Sequence, residues 1–255
     1  MSGGQLSALV GAVGGAGTTR LALEFGATLA RDGRSALVVD AAYATQGLAT
    51  AVPDRIGTDV TAAVTGERPL TAAAVGLDLN VPGHVAVAPA RAPFERLARA
   101  KTSECARRLA ERLSTAAGEY EHVLVDVPPV ATNPSVAAVT AADRVGLVVP
   151  DAQRGADALP RTRDRLADVE AAADAVVVNA TGDAPRDGDA GAASRIEAAD
   201  ATVPRSETTA LADAPVCTEP SEFATAVAAA TGAVVGFDLD LPEPESSSIA
   251  DVLTG

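Results

Sequence analysis

Six short aliphatic runs punctuate the chain: SALVG at residues 7–11, SALVVD at 35–40, HVAVA at 84–88, HVLVD at 122–126, RVGLVV at 144–149 and AVVVN at 175–179. Each is apolar almost throughout rather than in alternation, as expected of strands in a parallel sheet covered on both faces. Helical patterns lie between them. One spans residues 19–31 and stops at Asp32-Gly33; two short ones cover 59–65 and 70–75 around Gly66. A long one is predicted over 94–117, with apolar positions at Leu97, Leu109 and Leu113, and a charged one over 159–172. Val216 is read as opening a last edge strand, and residues 221–231 as a final helix. Strands alternating with helices predict an α/β fold: a doubly wound, mostly parallel sheet flanked by helices. The polar, Gly-rich residues 181–193 read as a surface loop. Residues 1–236 read as one domain, and 237–255 as an acidic, Pro-bearing, disordered tail in which 248–253 could form a short helix.

Composition sharpens this picture. Hydrophobic residues make up 47% of the chain but aromatics only 2%, so the core must be built closely from Ala, Val and Leu. The net charge is −14, and Lys101 is the single lysine among 20 basic residues. An acidic, Arg-over-Lys, Ala-rich chain fits a cytosolic protein of an organism that keeps molar salt inside. At about 1 M salt the Debye length falls to roughly 3 Å, which screens surface self-repulsion. An ordinary acidic protein from a GC-rich genome is the plainer alternative. Either way the charge argues against tight non-specific DNA binding, which depends on phosphate neutralisation. The sequence has neither an 18-residue apolar run nor a signal-type N-terminus, so cytoplasm is the expected location. Cys105 and Cys217 have no metal-type spacing and read as small buried residues, and His84 and His122 as sheet-surface positions.

The most informative stretch is GAVGGAGTTR, Gly11 to Arg20, between the first strand and the first helix. A Gly-rich turn at a helix N-terminus presents backbone N–H groups to phosphate, although such turns also join strands to helices for steric reasons alone. Two later strands end in carboxylates, Asp40 and Asp126, and a third ends in Asn179. The acids can equally be plain strand caps, and Asn179 a plain turn former.

In order along the chain, VGGAGTT, VVDAAYATQGL, HVLVDVPP, VVVNAT and VPRSETTALADAPV together resemble the MinD/ParA family of P-loop ATPases, from Leu6 to about Gly232. The resemblance implies ATP or ADP with Mg²⁺ as ligand. It implies a phosphate cradle at Gly14, Gly15, Ala16, Gly17, Thr18 and Thr19, and magnesium at Thr19, Asp40 and Asp126. It further implies an adenine site at Asn179 and Pro204, and a γ-phosphate-sensing switch loop at Val127, Pro128 and Pro129. It also implies a homo- or heterodimer and a protein partner, itself an active ATPase of the same kind in one version. The basic amphipathic helix that ends many MinD proteins has no counterpart: the last 20 residues carry five acids and no Lys or Arg, so no membrane-targeting helix is expected.

The departures matter as much. Val13 stands where the family's signature lysine belongs, Thr18 where the ordinary P-loop lysine belongs, and Ala42 where a second, water-positioning aspartate belongs. Phosphoryl transfer is mostly positioning and charge stabilisation, and removing one preorganised donor costs about 10²–10³ in rate. The expectation is therefore a catalytically degenerate pseudo-ATPase with no catalytic residue of its own. It would bind nucleotide weakly and serve as a partner-binding component in intracellular positioning, cell division or chromosome partitioning. Arg20, about 200° around the helix from Thr18, is expected to face away. The alternatives are an active ATPase with an unorthodox loop, a structural adaptor without nucleotide, and a Rossmann-type oxidoreductase. The last lacks a Tyr-x3-Lys pair, because neither Tyr43 nor Tyr120 has Lys four residues on.

Overall fold

The computed structural model describes residues 3–53, 55–66, 68–180, 196 and 199–241. Its strands are β1 (Gln5–Gly11), β2 (Ser35–Asp40), β3 (Val75–Gly76), β4 (His84–Ala88), β5 (His122–Val127), β6 (Arg144–Pro150), β7 (Ala175–Asn179) and β8 (Ala201–Val203). They form one sheet of eight strands in the order β3-β4-β2-β5-β1-β6-β7-β8. Every pairing is parallel except that of β3 with β4. The helices are α1 (Thr18–Arg31), α2 (Val60–Thr65), α3 (Phe94–Ala100), α4 (Ser103–Ala116), α5 (Asn133–Ala141), α6 (Gln153–Ala167) and α7 (Glu222–Val235). A doubly wound, mostly parallel sheet is therefore confirmed.

Two hydrophobic layers cover the sheet. On one face α2, α4, α5 and α6 pack through residues such as Val64, Leu109, Leu113, Ala138 and Leu166. On the other, α1 and α7 pack through Leu21, Phe25, Leu29, Val227 and Val234. The strands carry side chains into both layers, which is why they read as unbroken aliphatic runs. The scarcity of aromatics is met by close approach. A Cβ on Gly26 would lie 2.8 Å from Val38 Cγ2, so α1 rests almost directly on β2. Within α7, the Ser221 hydroxyl accepts the Ala224 N–H at 3.0 Å, and Gly236 closes the helix in the left-handed region.

Several expectations need correction. The long helix over 94–117 is two, α3 and α4, broken at Lys101–Thr102. The Thr102 hydroxyl caps α4 by accepting the Cys105 N–H, and a cap residue has non-helical backbone. The charged helix begins at Gln153, ahead of Pro160, rather than at 159. Val216 starts no strand; its N–H donates to the Glu24 carboxylate, and the edge strand is β8 instead. His122 is buried, its ring 5.5 Å from that of Phe237, whereas His84 is exposed as expected. Phe237 also receives the Arg34 guanidinium over its ring, and Asp240 N–H donates to Asp32, so the start of the predicted tail lies against the domain. The predicted loop at 181–193 and the stretch at 248–253 lie outside the described residues. No described helix is long and apolar enough to cross a membrane.

Candidate functional site

β1, β2, β5, β6 and β7 all run parallel, so their C-terminal ends collect at one edge of the domain. The chain leaves β1 for α1 on one face and leaves β6 for α6 on the other. The crevice between these adjacent strands is a topological switch point, where α/β sheets bind ligands. The Gly-rich loop opens there. Ala12 N–H still donates to Val148 O at 2.9 Å, and Ala16 N–H then turns back to Val13 O at 3.3 Å. Gly15 (φ 73°) and Gly17 (φ 86°) occupy the left-handed region, which a side chain would strain. Gly17 is the α1 N-cap and makes no side-chain capping bond, so the first N–H groups of α1 open onto the loop. Asn179 Nδ2 donates to Ala16 O at 2.9 Å and fixes the loop to the end of β7.

Thr19, in the first turn of α1, donates its hydroxyl to Asp126 Oδ2 at 2.6 Å. Asp40 is the register partner of Asp126 across β2 and β5, and both carboxyls are buried. Ala42 N–H donates to Asp40 Oδ1 at 2.8 Å and Ala90 N–H to Oδ2 at 3.3 Å, so this acid does cap the strand end. Burial, then the neighbouring Asp126 charge, raises the Asp40 pKa to about 8. Burial likewise raises that of Asp126 to about 6, opposed by the Thr19 hydrogen bond. A hydroxyl beside two carboxylates whose charge is costly suits a hard divalent cation. Among the described residues no group of three or more His, Cys, Asp or Glu forms a self-sufficient cage.

Beside the loop lies a cavity of about 360 Å³ bordered by Gly15, Gly17, Thr19, Asn179 and Pro204, with Leu211 and Phe223 among its apolar walls. These five are expected site residues that the fold brings together. Gly14, Ala16 and Thr18 complete the loop, and Thr18 is buried. Val127 is buried at the end of β5, and Pro128 and Pro129 follow it half-buried; none of the three borders the cavity.

Arg20 does not face away. It borders the cavity, donates to Glu24 Oε1 at 3.1 Å, to Ser206 Oγ at 3.2 Å and to Thr208 O at 2.5 Å. Glu24, fully buried, accepts the Val216 and Cys217 N–H groups at 2.9 and 3.0 Å through its other oxygen. This pair ties α1 to the segment that walls the cavity, and it is the part of the site that sequence reading missed. Its one visible signal is the Arg–Glu spacing of four on α1.

A family profile described as an AAA domain matches residues 5–173, about two thirds of the chain. No curated protein matches in sequence. Among solved structures the chain is similar to the septum site-determining protein MinD of Pyrococcus horikoshii with Mg-ADP: 19% identity, TM-score 0.73, 89% of this chain and 94% of that one. It is similar to an ATP complex of McdA from Cyanothece at 18% identity and TM-score 0.71, covering 94% and 100%. It also resembles the MinC:MinD cell division complex of Aquifex aeolicus, at 20% identity and TM-score 0.69 over 94% and 98%. The chain therefore belongs to the AAA domain family and has the fold of the MinD/ParA P-loop ATPases.

Proposed function

We propose that this protein is a nucleotide-binding pseudo-ATPase of the MinD/ParA kind, acting through partner binding in intracellular positioning, cell division or chromosome partitioning. The observation that carries the reading is a site preserved in one half and stripped in the other. The loop is turned by Gly15 and Gly17, its Thr19 hydroxyl sits on Asp126, and a cavity of about 360 Å³ adjoins it. Yet Val13 and Thr18 carry no charge, and Ala42 is a buried methyl group.

Such a site retains what holds a nucleotide: loop amides, a magnesium-ligating hydroxyl with its carboxylate, and a half-apolar recess for a base. Its loop lacks the cations that stabilise charge on a transferring phosphoryl group, and the acid that would orient water is absent. Mg-ADP, ATP and MinC in the solved relatives make a magnesium nucleotide the reasonable ligand and a protein the reasonable partner. Dimerisation, homo- or heteromeric, and a cytoplasm of high salt belong to the same reading.

The test is calorimetric titration with Mg-ATP and Mg-ADP of the full chain and of Thr19→Ala and Asp126→Asn. The reading expects saturable binding that weakens at least tenfold in both variants and on magnesium removal. Binding indifferent to Thr19, Asp126 and magnesium would overturn it.

A further inference from the structure

The loop has lost its own cations, but α6 brings another to its rim. Gly155 sits so tightly on the end of β6 that a Cβ there would lie 2.2 Å from Pro150 O, so the helix starts directly at the strand end. Thr162, two turns on, is buried; its hydroxyl donates to Ala158 O at 3.0 Å within the helix and lies 3.5 Å from Ala12 O at the root of the loop. α6 is thereby seated across the switch-point crevice from α1. Its first-turn residue Arg154 crosses that crevice: one guanidinium nitrogen lies 3.8 Å from where a Cβ on Gly15 would be. The first turn of α6 holds no acid, and Asp157, one turn on, accepts from Gln153 Nε2 at 2.7 Å. Arg154 is exposed, and its guanidinium makes no ion pair or hydrogen bond with the described residues. The two arginines that border the cavity differ: Arg20 is held by Glu24, Ser206 and Thr208, and Arg205 is also engaged.

We propose that Arg154 is the phosphate-binding cation of this site, closing on the β- and γ-phosphates of a nucleotide seated in the loop of the same chain. The inference rests on the nucleotide-binding reading above and deepens it. A guanidinium offers a planar fork of N–H donors that matches phosphate oxygens, and it does so from an exposed position without the cost of burial. It approaches the loop from the β6 side, whereas the absent lysines would have risen from the loop itself at positions 13 and 18. A cation placed there holds a triphosphate without lying where the ordinary P-loop lysine stands.

The test is competitive binding of ATP, ADP and adenosine, with magnesium, to the full chain and to Arg154→Ala, Arg154→Glu and Arg154→Lys, each checked for an unchanged melting temperature. A charge-assisted contact predicts a loss of about 10- to 100-fold in ATP affinity for Arg154→Ala. Arg154→Glu should lose more, Arg154→Lys should recover part, and adenosine affinity should not move. Wild-type ATP affinity retained in Arg154→Ala would overturn the role of Arg154 while leaving nucleotide binding in place. Equal losses for ATP and adenosine would also overturn it. Absence of ATP binding by the unaltered protein would overturn both the inference and the reading beneath it.

Discussion

Asp40 and Asp126 lie side by side at the ends of neighbouring parallel strands, both buried, with no basic side chain among the described residues hydrogen-bonded to either. Two carboxylates so placed cannot both ionise cheaply. The folded protein therefore holds protons at this pair that the unfolded chain releases. For Asp40 the folded pKa is raised from 3.8 to about 8, so its contribution is full below the lower value and is lost as pH rises through the upper one. In chelator, the melting temperature should fall between about pH 5 and pH 8. Asp40→Asn should flatten that slope, and Mg²⁺ should flatten it in the unaltered protein. A slope unchanged by either would contradict the site as described.

In the proposed reading Thr18 occupies the position of the usual P-loop lysine; its hydroxyl is turned toward Gly11 at the end of β1. Replacing it with lysine should restore one cation. Thr18→Lys is expected to raise Mg-ATP affinity by about 10- to 100-fold, measured by calorimetry. No gain, in a variant that still folds, would mean that the loop does not present its amides to phosphate.

The Arg20–Glu24 pair anchors the cavity wall. Removing Arg20 leaves a buried carboxylate supported by the Val216 and Cys217 amides alone. Arg20→Ala should cost about 3 kcal/mol in denaturant unfolding, toward the lower end for a broken buried pair because the amides remain. A cost under about 1 kcal/mol would place the pair in the class of surface bridges instead.

How much of this was legible in the linear sequence depends on the range of the forces involved. The six aliphatic runs became β1, β2, β4, β5, β6 and β7 because a strand buried on both faces has to be apolar along its length. The Gly-rich loop and the acids at the C-terminal ends of β2 and β5 were legible for the same local reason: strand ends and helix starts carry short-range signatures. The break at Lys101–Thr102 was not, because neither Gly nor Pro marks it and Thr is also tolerated inside helices. The role of Val216 depends on Glu24, nearly two hundred residues away in sequence, and β8 exists by pairing with β7. Arg154 was invisible as a site residue because its place follows from β6 lying beside β1 and from the seat of Gly155.

The net charge of −14 makes a separate prediction. Self-repulsion among surface carboxylates opposes the compact state and is screened by salt. The melting temperature should rise by several degrees between about 0.1 M and 2 M KCl, where the Debye length shrinks from about 10 Å to under 3 Å. A flat or falling profile would remove the case for a high-salt cytoplasm.

The central claim is that this site holds a nucleotide without turning it over. The most direct measurement follows bound fluorescent ATP analogue and phosphate release together, in molar KCl with Mg²⁺, on the unaltered protein. Saturable binding with phosphate release at the background rate is expected. Release above background that disappears in Thr19→Ala would contradict it and identify a working ATPase whose cations come from outside the loop.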